Sequence, residues 1–213
     1  MCSLQTRMRI GSVTISGGAL LLAAWLNYLD RQGLFLPALL ACGLHEAGHY
    51  AVLRWLQNDI TEIRITISGA EMAVRDPMSY GKELLAALGG PAVNVLLALV
   101  FCRWAWGAVF AGLNWALAWF NLLPVGNLDG GRALRCILSC TLGPQRTDRV
   151  TLWLDGLLLS LLLAAALLLA RGGNLTLLLT AGWLLLHFLR ERSAEGLSSP
   201  LPHKKLRRTD GVP

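Results

Sequence analysis

Six apolar runs of near-bilayer length limit what this chain can become: residues 10–29, 34–56, 84–102, 106–124, 151–170 and 174–189. A helix needs about 20 mostly apolar residues to cross the hydrocarbon core. Within that core every backbone N–H and C=O must be satisfied by the protein itself, which a continuous helix does. The chain has 213 residues and is 54% hydrophobic and 15% charged, whereas soluble domains average roughly 25% charge. An ordinary water-soluble globule is excluded. The expected fold is an all-α polytopic membrane protein of about six spans over residues 1–192. A basic, disordered cytoplasmic tail follows over 193–213. The opening stretch "MCSLQTRMRIGSVTISGGALLLAAWLNYL" has no convincing small-residue cleavage site after it and reads as a retained first span. "RWAW" and Gly107 separate the third and fourth runs, which predicts a tight helical hairpin.

The charges fix an orientation. With both termini in the cytoplasm, 16 of the 19 Lys and Arg residues fall on the inner side. Only Arg31, Arg103 and Arg171 fall outside, one in each outer loop. That skew is what the positive-inside rule demands. The net charge of +6 is thereby explained by topology, so no nucleic-acid partner is expected and the lipid bilayer is. The expected location is a bacterial cell membrane, crossed several times. Five cysteines form no C-x-x-C pair and read as free thiols and packing residues.

Between the second and third runs, Ile63, Ile65 and Ile67 alternate with Glu62, Arg64, Thr66 and Ser68. This period of two predicts a short β-hairpin at the cytoplasmic face. An open hairpin edge there can take up an extended peptide as an added strand; a plain structural ribbon is the competing reading.

The second run contains "LLACGLHEAGHYAVLRW". Ionisable groups inside a bilayer are costly and mark function by default. His45-Glu46-Ala47-Gly48-His49 is also the H-E-x-x-H pattern of zinc peptidases. On a helix, residues four apart share a face, so two imidazoles can meet one ion. Glu46 is offset by one position and can take a proton from a water beside that ion. A catalytic zinc needs a third protein ligand and an open position. The best candidate is Asp129 in "FNLLPVGNLDGGRAL", where Pro and Gly break the helix at the end of the fourth run. His45 lies about 16 Å below the outer end of its span at 1.5 Å per residue, so the two elements can meet in the inner half of the bilayer. Cys42, three before His45, is a weaker candidate for a further ligand. Asp155 reads as an interface marker, and His187 and His203 as interfacial and solvated.

These motifs together resemble the site-2 protease family of intramembrane zinc metalloproteases. The match rests on H-E-A-G-H in the second span, "GGPAVN" (89–94) opening the third and "NLLPVGNLDGG" (121–131) closing the fourth. It covers roughly residues 33 to 135 and is most similar to the stage IV sporulation protein FB type. The resemblance implies one Zn2+ bound by His45, His49 and Asp129, with Glu46 as general base and acid. Asn94 near the site would help hold or polarise substrate. Gly89 replaces the family's usual alanine, a mild change, and Asn127 replaces a frequent proline. No PDZ or cystathionine-synthase-like domain is expected.

The expected activity is that of a metalloendopeptidase cutting membrane-embedded or membrane-associated proteins in regulated intramembrane proteolysis, with sporulation or sigma-factor signalling as a setting. A regulatory membrane protein is a further expected partner. The rival is a non-hydrolytic membrane metal carrier or scaffold. Carriers usually show paired repeats, and none is evident here.

Overall fold

Ser16 divides the first apolar run into two kinds of structure. In the computed structural model, which describes residues 7–10, 13–66, 69–126, 128–170, 182 and 185–186, Val13–Ser16 is a strand and Gly17–Leu29 a helix. The Ser16 hydroxyl accepts from the Ala19 N–H at 3.2 Å and caps that helix. The first span expected over 10–29 is therefore a helix of 13 residues, about 20 Å long. Its upstream part, rich in β-branched residues, pairs in a sheet instead.

The element order is β1 (Arg7–Ile10), β2 (Val13–Ser16), α1 (Gly17–Leu29), α2 (Phe35–Trp55), β3 (Ile60–Thr66) and β4 (Gly69–Val74). It continues through α3 (Tyr80–Phe101), α4 (Ala108–Asn121), α5 (Asp129–Leu142) and α6 (Pro144–Ala170), with one 3-10 turn at Ala105–Gly107. The strands form one sheet in the order β1-β2-β3-β4. β3 and β4 are the expected antiparallel hairpin, but β2 adds to it in parallel, with Val13, Thr14 and Ile15 opposite Ile63, Arg64 and Ile65. The hairpin is thus half of a four-stranded sheet with β4 at one edge. Sequence pattern revealed only the local half, because the β2–β3 pairing joins residues about fifty positions apart.

α2 matches the second expected span closely, and α3 begins four residues before the third. α4 is shorter than the run 106–124, and α6 begins seven residues before the fifth. Among the described residues α3 and α6 are long and apolar enough to cross a membrane. After the break at the end of the fourth run, the connection to the fifth contains helix α5. The run 174–189 and the tail 193–213 lie largely or wholly outside the described residues.

α3 is the central helix of the bundle and packs against α2, α4 and α5. Its buried residues are mostly small, Ala86, Ala87, Gly89, Gly90 and Ala98 among them, and so are buried residues of its neighbours: Ala41 and Gly48 of α2 and Ala111 and Ala118 of α4. The large apolar side chains point outward, with Leu21 75%, Trp106 74% and Trp119 68% exposed. Small and polar residues inside, with Leu and Trp outside, is the arrangement of helices that associate in lipid, where backbones must approach closely. The chain divides into two compact units, residues 1–155 and 156–213, and the site described next lies wholly in the first.

Candidate metal centre

His45 and His49 sit one turn apart on α2 and turn inward. Their rings reach α3 because that helix has no side chain in the way. A Cβ on Gly90 would run into His49 Nε2 and lie 2.7 Å from His45 Nε2. Pro91, one residue on, has no N–H and disturbs the preceding turn of α3. In that turn the Ala86 carbonyl lies 2.7 Å from His49 Nδ1.

Asp129 arrives from a different direction. It is the first residue of α5, buried, in the turn where a helix favours a carboxylate. The glycines after it act by their size. A Cβ on Gly130 would collide with the Leu122 carbonyl, and one on Gly131 with that of Gly126. Segment 122–126 folds back over the first turn of α5, which only glycine permits. The loop has a second support. Gly126, at φ +51°, donates its N–H to Asp155 Oδ1 of α6 at 2.8 Å. Asp155 is buried and tethers the loop ahead of Asp129; the sequence reading had made it an interface marker.

Three atoms converge. His45 Nε2 and His49 Nε2 are 3.1 Å apart, and Asp129 Oδ2 lies 3.1 Å from the first and 3.3 Å from the second. Hydrogen bonds decide what these atoms are. His45 Nδ1 lies 2.7 Å from Asn94 Oδ1, and the partner of His49 Nδ1 is a carbonyl. Oxygens of this kind only accept, so each imidazole holds its proton on Nδ1. The Gly90 N–H, 3.3 Å from His49 Nδ1, is the longer and weaker contact. Both Nε2 atoms therefore present lone pairs toward a carboxylate. Asp129 Oδ2 is buried and makes no hydrogen bond. Three acceptors facing one another repel unless a cation lies among them.

The spacing fits a particular cation. Tetrahedral zinc bonds of about 2.0–2.1 Å set ligand atoms roughly 3.3–3.4 Å apart, and the observed separations run from 3.1 to 3.3 Å. Among the described residues, the group of three or more side chains able to hold a metal is His45, His49 and Asp129. Glu46 is half-buried beside it on α2 and makes no hydrogen bond among the described residues. Cys42 faces outward and does not join the group.

Asn94 is brought to the site but is fully buried, 0% exposed. Its amide is engaged at both ends, by His45 and by Asn114 Oδ1 at 3.0 Å. Asn114 of α4, also 0% exposed, escaped the sequence reading. Its signal was there: a lone amide within the apolar run "AGLNWALAW" has to find a partner inside the bundle.

The fold and the centre together describe a helical, apolar bundle with a buried group of two histidines and one carboxylate that could hold a metal ion. Over 128 residues the chain is 28% identical to a zinc metalloprotease of Methanocaldococcus jannaschii, a stretch covering 55% of this chain and 38% of that relative. The chain thus spans well under half the length of that protein. The fold is similar to that of a site-2 protease from Methanocaldococcus jannaschii, with a TM-score of 0.64 and 23% identity, over 84% of this chain and 91% of that one. No family model matches the chain. The first likeness is one of sequence to a zinc metalloprotease, and the second is one of fold.

Proposed function

We propose that this chain is an intramembrane zinc metalloendopeptidase of the site-2 protease type, acting on membrane-embedded or membrane-associated proteins. The observation that carries the reading is the buried trio of acceptor atoms on His45, His49 and Asp129, with a free carboxylate, Glu46, next to it. The similarity to a zinc metalloprotease supports it. We place the chain in the membrane with about six spans and both ends in the cytoplasm. The charge skew supports that topology, as do the outward-facing Leu and Trp side chains.

His45, His49 and Asp129 would hold a zinc ion, which would supply a Lewis acid to polarise the scissile carbonyl and acidify a nearby water. The protein's own groups do the rest. Glu46 accepts the water's proton and passes it to the leaving amine. The burial of His45 and Asp129 limits the access of bulk water to these groups. A substrate helix has its carbonyls locked in hydrogen bonds and must unwind before attack. The β4 edge, paired on one side only among the described residues, offers an unwound segment a strand to pair with. The resemblance to the sporulation branch supports regulated proteolysis of a signalling protein as the setting, with a regulatory membrane protein as a further partner.

The test is metal analysis and cleavage of co-expressed single-span substrates by the purified chain. Glu46→Gln should retain one zinc per chain and lose cleavage by a factor of ~100 or more. Asp129→Ala and His49→Ala should lose the metal as well. A Glu46→Gln protein that cleaves at the normal rate overturns the assignment of the base.

A further inference from the structure

We infer that Asn114 of α4 is a positioning residue for the metal centre, acting through Asn94 to fix the proton of His45 on Nδ1. The inference rests on the metalloprotease reading and extends it to a third helix. The juxtaposition is a chain of amides with a direction. Asn114 Nδ2 donates to the Phe110 carbonyl at 2.9 Å. A carbonyl cannot donate, so this contact fixes which end of the Asn114 amide is nitrogen. Asn114 Oδ1 is thereby turned to Asn94 and accepts from Asn94 Nδ2 at 3.0 Å. The Asn94 amide is then fixed too, and presents Oδ1 to His45 Nδ1 at 2.7 Å. The only group that can answer an amide oxygen is an N–H, so the ring proton resides on Nδ1. Nε2 is left as a lone pair aimed into the space shared with Asp129.

Reversing either amide sets oxygen against oxygen or nitrogen against nitrogen somewhere along the chain. Both side chains are fully buried, so no water can repair such a clash. Partners that orient a ligating histidine fix its tautomer, and their loss typically weakens metal binding 10–100-fold. Asn114 hydrogen-bonds to Asn94 and to the Phe110 carbonyl and not to the trio. It acts by denying Asn94 the flipped orientation, in which its NH2 would face His45 and favour the tautomer with Nδ1 unprotonated and Nε2 occupied. The helical hairpin α3–α4 thus does more than fill the bundle: the carbonyl of Phe110 sets the polarity of a ligand on α2.

The experiment is Co2+ titration of the purified, metal-stripped full chain, followed by its visible absorption. Wild type should bind one Co2+ with a tetrahedral spectrum. Asn114→Leu should bind roughly tenfold or more weakly with an altered spectrum, and Asn114→Ala serves if the leucine variant does not fold. Asn114→Asp should restore affinity to within a few-fold, since either protonation state still accepts from Asn94 Nδ2. Asn94→Leu combined with Asn114→Leu should bind no more weakly than Asn94→Leu alone, because Asn114 acts through Asn94. Wild-type affinity and spectrum in Asn114→Leu overturn the inference while leaving the metal centre intact. So do losses that multiply in the double variant. A wild-type chain that binds no Co2+ overturns the metal centre itself, and this inference with it.

Discussion

Gly48 of α2 and Gly89 of α3 meet backbone to backbone. A Cβ built on Gly48 would lie 2.5 Å from the Gly89 carbonyl oxygen, and one on Gly89 would lie 2.9 Å from that of Gly48. Gly89, which stands where the resemblance implies an alanine and reads as a mild change from the sequence, allows this close crossing. It also brings the His45 and His49 rings within reach of α3.

Alanine at either position should therefore force the helices apart, at a cost of about 1–3 kcal/mol for overpacking. That exceeds the gain in helix propensity, about 1 kcal/mol. Gly43, with nothing within 4 Å of a built Cβ, is the internal control. Gly43→Ala should raise the melting temperature, while Gly48→Ala and Gly89→Ala should lower it and weaken metal binding. Thermal denaturation in detergent distinguishes these outcomes.

The tether between Asp155 and Gly126 makes a prediction remote from the trio. Asp155→Ala leaves the Gly126 N–H without its acceptor, which should cost about 1–3 kcal/mol of stability. Because the released loop carries Asp129, metal affinity should fall with it. Asp155→Asn keeps an acceptor oxygen and should lose less. Equal metal affinity in wild type and Asp155→Ala would remove the tether from the account of the site.

α2 ends in a turn that calls for glycine and has none. Gln57 sits at φ +56°, the Asn58 N–H bonds to the Leu53 carbonyl at 3.1 Å, and the Gln57 N–H bonds to that of Arg54 at 3.0 Å. This is the Schellman pattern, normally closed by glycine. Gln57→Gly should relieve the left-handed conformation and stabilise the chain by about 0.5–1 kcal/mol, seen as a higher melting temperature.

Asp30, between α1 and α2, carries an acid-side signature. Its carboxylate accepts from the Phe35 N–H at 2.8 Å and the Gln32 N–H at 3.1 Å. The Phe35 bond leads in holding its pKa below the ordinary carboxylate value of 3.8. A depressed folded-state pKa means the stabilisation is complete above the unfolded value and is lost as pH falls below 3.8 through the folded one. Amide exchange at Phe35 should accelerate in that window in the wild type. In Asp30→Asn it should be faster already at neutral pH and insensitive to the same drop.

The periodicity and the charges of the sequence carry much of this protein. Run length and apolarity suffice for α2 and α3, because a lone helix in lipid satisfies its own backbone. The pairing of His45 with His49 is equally local, set by 3.6 residues per turn. Asp129 could be named from its helix-breaking neighbours, although the reason for those neighbours differed. Gly130 and Gly131 make room for segment 122–126 in the first turn of a new helix, whereas the composition showed only that one helix breaks here.

Other features needed the assembled fold. The sheet draws Val13–Ser16 out of an apolar run because β3 offers a parallel partner, a long-range pairing with no local signature. Asn94, Asn114 and Asp155 are single polar letters in apolar segments, and the sequence shows only that each must find a partner. Which one it finds depends on how the helices and the loop before α5 pack together. Local chemistry chose the candidate ligands; packing between distant helices determined their tautomer, their spacing and the loop that delivers the third of them.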